Sequence, residues 1–195
     1  KQYICTCEYK NILVVASEKL SRITDWEDRS TCVLFGDGAA AAVVSRSDDE
    51  EGFVSTILGG DGNQTSILNM PAGGSARPAS YETVKNREHT IKMAGQETFK
   101  IAVNTMKKAV LNALEKAKLK IEDLQYLIPH QANLRIMQAV AKGLKIEDAK
   151  VIMNLEKYGN TSAASIGIAL SEAVQEGRIH KGDLIGLCAF GGGLT

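Results

Sequence analysis

The chain has 195 residues, 44% apolar and 24% charged, a balance that suits a soluble globular protein with a sizeable core and makes disorder an unsuitable reading. Lys plus Arg and Asp plus Glu each number 23, so no whole-chain field favours nucleic acid or an anionic membrane surface, and an acidic partner would need a local basic patch. The longest apolar runs, residues 12–16 and 39–44, are too short to span a bilayer, and residues 1–8 do not lead into a secretory signal pattern.

In chain order, residues 12–16 form a β-rich apolar run that predicts a buried strand continuing into Ser17 and Glu18. Residues 22–30 are a polar connection holding the single tryptophan, Trp26. Phe35-Gly36-Asp37-Gly38 predicts a tight glycine turn leading into a strand over 39–45. Residues 47–52 are an acidic break, placed here as a boundary between a 1–52 unit and a 53–195 unit, and residues 53–58 open a second strand-rich section. Residues 59–87 are rich in Gly, Ser and Asn with two prolines, which predicts a long loop.

Helical spacing begins at 94–118, where Phe99, Val103, Met106, Val110 and Leu114 recur at three- and four-residue steps as a core stripe. Residues 126–128 predict a short strand closed by Pro129, followed by a helix with the stripe Leu134, Met137, Ala141 and Leu144. A strand over 151–153, a helix over 161–176 capped by Gly177, and a last buried strand over 184–190 complete the series. Ala163, Ala164, Gly167 and Ala169 give that last helix a small-residue face, suited to burial between sheets. Alternation of strand and helix argues for an α/β layered fold.

Two strand-to-helix turns carry the polar residues of interest, His130 and Asn160. In an alternating fold such turns gather at one sheet edge, where an imidazole and a carboxamide could form an oxyanion hole. Taken singly, His130 reads equally as a satisfied turn histidine, and Asn160 as a helix N-cap. Gly191-Gly192-Gly193 could be a plain sharp turn or a place where backbone N–H groups approach a ligand. The cysteines, Cys5, Cys7, Cys32 and Cys188, form no CxxC pair and have no His at ligand spacing, so no metal site is expected and reduced thiols in a cytosolic protein are the default.

Together, Pro129-His130-Gln131-Ala132-Asn133-Leu134-Arg135-Ile136, Gly159-Asn160-Thr161-Ser162-Ala163-Ala164-Ser165 and Phe190-Gly191-Gly192-Gly193-Leu194-Thr195 resemble the β-ketoacyl-acyl-carrier-protein synthase III family. Asp28-Arg29-Ser30-Thr31, Phe35-Gly36-Asp37-Gly38 and Met93-Ala94-Gly95 extend the resemblance across the whole chain. It implies a thiolase-like layered αβαβα fold, with this chain supplying the end of the first half and most of the second. It also implies a Cys-His-Asn triad in which His130 and Asn160 are present. The family's Ala-Cys-Ala/Ser-Gly-Phe nucleophile turn does not occur here, so the resemblance places the cysteine upstream of Lys1 and the chain within a longer enzyme.

The implied reaction is the decarboxylative condensation of a malonyl carrier protein with an acyl-CoA primer, which initiates fatty-acid synthesis. His130 and Asn160 would stabilise the enolate, and the Gly192 N–H the tetrahedral oxyanion. Gln131, Ala132, Asn133, Leu134 and Arg135 would contact the carrier protein, with Lys100, Arg135 and Lys142 as its basic patch, though these lysines also read as a solvated helix face. Arg29, Met93, Gly95, Phe99 and Asn133 would line the route of coenzyme A and its pantetheine arm. No cofactor beyond these substrates, no nucleic acid and no membrane is expected, and a cytoplasmic homodimer is the family expectation. The rivals are a related acyltransferase of specialised metabolism and a non-catalytic carrier-binding protein.

Overall fold

The computed structural model describes residues 1–47 and 52–195. The expected boundary at 47–52 therefore lies largely outside the described residues. After a short helix α1 (Gln2–Cys5), strand β1 (Asn11–Lys19) pairs antiparallel with β2 (Asp37–Ser45), in register from Asn11 opposite Ser45 to Lys19 opposite Asp37. The connection between them is organised by carboxylates. Asp37 accepts from the Ser21 N–H and hydroxyl at 2.8 and 2.6 Å, and Asp28 accepts from Ser30 and Thr31, bonds that hold both carboxyls below the usual range.

The Phe35-to-Gly38 segment is not the tight turn its glycines predict. Phe35 bridges in parallel to Asn160, and Asp37 and Gly38 already belong to β2. Gly36 is required by proximity: a Cβ there would lie 2.0 Å from the Tyr158 carbonyl oxygen. Gly38 similarly faces Ile168 and Thr161.

Residues 53–58 form no strand ladder among the described residues. Instead they run beside helix α3 (Gly95–Ala117), where Ser55 Oγ donates to the Ala113 carbonyl at 2.6 Å and Lys116 Nζ to that of Thr56 at 3.1 Å. The long loop contains a 3-10 turn over Gly62–Ile67, helix α2 (Tyr81–Lys85) and β3 (Leu68–Asn69), which pairs antiparallel with β4 (Lys92–Met93). The buried stripe of α3 is Thr98, Ala102, Met106, Val110 and Leu114, rotated from the expected one so that Phe99 emerges on the surface.

Strand β5 (Tyr126–Pro129) lies parallel to β6 (Ile185–Cys188), and the expected strand at 151–153 shrinks to one bridge, Val151 opposite Leu127. Helix α4 (Leu134–Leu144) buries Ile136, Met137, Val140, Ala141 and Leu144, whereas Leu134 is exposed. A short helix α5 (Leu155–Tyr158) precedes Asn160, and a 3-10 turn over Ser162–Ala164 leads into α6 (Ser165–Gln175). Gly177 ends that helix at φ +69°, as its cap position predicts.

The layers follow from alternating side chains on β5. Leu127 packs with α3 and α4 in one apolar cluster, and Ile128 packs with Ile152, Ala169 and Ala173 in another. The far side of α6 meets β2, where a Cβ at Gly167 would come 2.5 Å from the Ala40 methyl. Helices, the β5–β6 sheet, α6 and the β1–β2 ribbon thus stack in sequence, and α6 turns Ala169 and Gly167 toward its neighbours between the sheets while Ser171, Val174 and Gln175 stay exposed. The ribbon leaves Leu13, Val14, Val15 and Val43 exposed.

Gly36→Ala should destabilise the full-length protein by about 3 kcal/mol, because the Tyr158 carbonyl cannot yield without moving Asn160. Gly74→Ala, where an added Cβ meets nothing within 4 Å, should change stability by less than about 0.5 kcal/mol. Urea midpoints compare the two; equal midpoints would contradict the close approach at Gly36.

Candidate active site

His130 sits one residue beyond β5, at the carboxyl edge of the parallel pair. Its N–H donates to the Cys188 carbonyl at 2.7 Å, where β6 ends, so the histidine and the glycine turn that follows β6 share one sheet edge. The ring is half-buried, and its Nδ1 lies 2.6 Å from Ser165 Oγ at the start of α6. Burial pushes the imidazole down to about 4, so it is neutral near pH 7. No hydrogen bond from Nε2 to a described residue is present.

Asn160 is held by the backbone on both sides. Its N–H donates to the Leu34 carbonyl at 2.8 Å and its carbonyl accepts from the Gly36 N–H at 2.9 Å. The side chain performs the capping role that the sequence allows: Oδ1 accepts from the Ser162 N–H at 2.8 Å. That bond orients the carboxamide and leaves the Nδ2 hydrogens without a partner among the described residues, so capping does not occupy the amide donors.

Gln131 departs from expectation. It is 1% exposed, and Nε2 donates to the Pro129 and Ile152 carbonyls at 2.8 and 3.2 Å while Oε1 accepts from the Asn154 N–H at 2.9 Å. A fully engaged buried amide cannot face a carrier protein; it clips the His130 turn to the segment leading to Asn160. Beyond it, Asn154 Nδ2 and Tyr158 OH both donate to Glu172, at 2.8 and 2.5 Å. Those bonds and the neighbouring Lys157 hold the Glu172 carboxyl below its usual range.

The other expected residues divide by location. Asn133 caps α4, with Oδ1 accepting from the Arg135 N–H at 2.8 Å. With Ala132 and Leu134 it lines a cavity of about 330 Å³, closed on the other side by Val33, Leu34, Met153, Leu155, Glu156 and Gly159. Arg135, Lys142 and Lys100 are exposed, the first two on α4 and the last on the packed helix α3. Arg29 is exposed on a loop docked by Asp25, whose carboxylate pairs with Lys92 at 3.0 Å and Arg87 at 3.3 Å and is held low chiefly by Lys92. This brings the Arg29 loop to the strand holding Met93, at the entrance to α3 with Gly95 and Phe99. None of these four lines the cavity.

Gly192 is exposed in the turn closed by the Gly191 N–H to Thr195 carbonyl bond of 2.9 Å, which Asp61 anchors to Leu194. Burial raises the Cys188 thiol to about 12, so it is no nucleophile; Cys5 and Cys7 are exposed on the first helix and the turn after it. Among the described residues no group of three or more His, Cys, Asp or Glu could hold a metal ion, and no helix is long and apolar enough to cross a membrane.

Residues 1–62 match the model of 3-oxoacyl-[acyl-carrier-protein] synthase III, and residues 114–195 match that family's C-terminal model. The chain belongs to the 3-oxoacyl-[acyl-carrier-protein] synthase III family. It is 54% identical to the beta-ketoacyl-[acyl-carrier-protein] synthase III of Fusobacterium nucleatum over 96% of this chain and 57% of that protein. Identity to the same enzyme of Caldanaerobacter subterraneus is also 54%, over 100% of this chain and 59% of the relative. The crystal structure of 3-oxoacyl-[acyl-carrier-protein] synthase III from Aquifex aeolicus superposes with a TM-score of 0.88 at 47% identity, covering 99% of this chain and 58% of that one. The chain therefore spans under two thirds of these relatives, and its fold is thiolase-like.

Ser165, Leu34, Asn154 and Glu172 are the site residues that pattern reading does not single out. Ser165 carries a faint signal, lying five residues beyond Asn160 where a helix begins, but a serine there usually reads as capping.

The neutral imidazole fixes a pH dependence. The unfolded ring titrates near 6.5 and the folded ring near 4, so between these values the unfolded chain binds the extra proton. The associated stability, about 3 kcal/mol, is fully present above pH 6.5 and is lost as the pH falls toward 4. Urea midpoints of the full-length protein at pH 7 and pH 5 should fall more than those of His130→Gln; parallel losses would contradict a buried neutral ring.

Proposed function

We propose that this chain provides the decarboxylation half of a 3-oxoacyl-acyl-carrier-protein synthase III, acting with a cysteine nucleophile from a part of the enzyme outside residues 1–195. The observation that carries the reading is the pair of nitrogens without a hydrogen-bond partner among the described residues, Nε2 of a neutral His130 and Nδ2 of Asn160: His130 bonds to Ser165, five residues beyond Asn160, and Ala132 and Gly159, close to them in sequence, line the same cavity. Such donors match a developing enolate oxygen, whose charge they stabilise without a change of their own protonation.

In this reading the cysteine thiolate attacks the acyl-CoA carbonyl and expels coenzyme A as its thiolate, which takes a proton from solvent. A malonyl thioester on the carrier's phosphopantetheine then loses carbon dioxide, and the electron pair of the broken carbon–carbon bond moves to the enolate oxygen held by His130 and Asn160. The enolate carbon attacks the acyl-cysteine, the Gly192 N–H holds the tetrahedral oxyanion, and collapse releases the cysteine thiolate and the 3-oxoacyl carrier protein. Both substrates are thioesters, and no further cofactor is assigned.

The cavity beside Ala132, Asn133 and Leu134 suits the uncharged part of a pantetheine arm, with Arg29, Met93, Gly95 and Phe99 nearer the coenzyme A end. Exposed Arg135 and Lys142 on α4 and Lys100 on α3 offer an acidic carrier protein a basic surface. Residues 1–52 are assigned to the first thiolase half and 53–195 to the second, in a cytoplasmic homodimer.

The full-length protein given acetyl-CoA and malonyl carrier protein should release coenzyme A and carbon dioxide. His130→Ala and Asn160→Ala should each slow decarboxylation by about 10²–10³ while labelled acyl transfer to the cysteine persists. Equal loss of both half-reactions would sink the assigned roles.

A further inference from the structure

Ser165 is a buried hydroxyl that the proposed chemistry does not use. It is 2% exposed, accepts from the Gln131 N–H at 3.3 Å, and lies 2.6 Å from His130 Nδ1. A hydroxyl has one hydrogen to give and lone pairs to receive. Among the described residues, Nδ1 is the single acceptor within reach of that hydrogen. The opposite arrangement, with Nδ1–H donating to Oγ, would leave the hydroxyl hydrogen buried and unpaired, a loss of order 1–3 kcal/mol in neutral groups. The bond therefore has a direction: Ser165 gives and Nδ1 receives.

We infer that Ser165 is the positioning residue that fixes His130 in its Nε2–H tautomer, and so makes Nε2 a hydrogen-bond donor toward the substrate oxygen. A neutral imidazole carries one proton, and a nitrogen that accepts from Ser165 leaves that proton on the other nitrogen. Gln131 completes the device from two sides. Its N–H occupies a serine lone pair, steering the hydroxyl hydrogen toward Nδ1, and its buried amide prevents the His130 turn from swinging away. Ser165 opens α6 and Asn160 lies just before it, so one segment orients both donors. The catalytic meaning of this tautomer rests on the proposed function, whereas the tautomer itself does not.

The test is long-range ¹H–¹⁵N NMR of histidine-labelled full-length protein near pH 7, with the His130 ring assigned by His130→Gln. In the unmodified protein Nε2 should carry the proton and Nδ1 should resonate as an unprotonated acceptor. Ser165→Ala should admit the Nδ1–H form and lower kcat for malonyl decarboxylation by about 10-fold or more, with KM changed much less. Ser165→Cys, whose thiol is a weak donor, should fall between the two. A proton on Nδ1 in the unmodified protein, or a ring unchanged by Ser165→Ala, overturns the inference whether or not the protein condenses thioesters. If the protein fails to condense while Nε2–H is observed and lost in Ser165→Ala, the functional reading fails and the tautomer assignment stands.

Discussion

The parallel bridge between Leu34-Phe35-Gly36 and Asn160 holds the molecule together where it matters most. Two backbone hydrogen bonds, Asn160 N–H to Leu34 and Gly36 N–H to the Asn160 carbonyl, tie the β1–β2 ribbon to the loop before α6. They form because residue 36 has no side chain to strike the Tyr158 carbonyl and because Gly159 takes a positive φ of +68° in the turn between α5 and Asn160. With the backbone so fixed, the Asn160 carboxamide accepts from the Ser162 N–H, and its amide hydrogens have no partner among the described residues. The ribbon then packs on α6 through Gly38, Ala40 and Gly167, so the same contacts place Ser165 under His130.

The electrostatics of the edge follow from burial and from the economy of its polar groups. His130 is kept neutral by desolvation, with no carboxylate among the described residues competing for its proton, and Gln131 commits its whole amide to three backbone partners. Glu172 gathers Tyr158, Asn154 and Lys157 on the other flank, so α5 and the approach to Asn160 are braced by a charge-assisted cluster. Among the described residues no partner is found for His130 Nε2 or Asn160 Nδ2, the groups that suit a developing oxyanion.

Periodicity made the helices readable, because α3 and α4 bury one face each and their apolar spacing reports it. Even so, the α3 stripe runs through Thr98 and Ala102 and not Phe99, since a small residue suits the packed face and the larger ring is accommodated at the surface. Strands were legible where both partners are present, as in β1 and β2. Residues 53–58 have a strand's composition but lie along α3, with no ladder among the described residues, a tertiary outcome no local pattern encodes. At the site, His130 and Asn160 stood out by residue type at strand-to-helix turns. Gln131 did not reveal its burial, and Gly36-Asp37-Gly38 read as a turn because a glycine needed for close approach looks identical to one needed for a bend. The pairing of Ser165 with His130 was not legible for a similar reason: the two lie 35 residues apart.

If His130 and Asn160 converge on one oxygen atom, a crystal structure of the full-length protein with a non-hydrolysable malonyl thioester analogue will show it. The thioester carbonyl oxygen should lie about 3 Å from both His130 Nε2 and Asn160 Nδ2, with the arm leaving past Ala132 and Asn133. An ordered thioester whose oxygen contacts neither nitrogen would contradict that convergence.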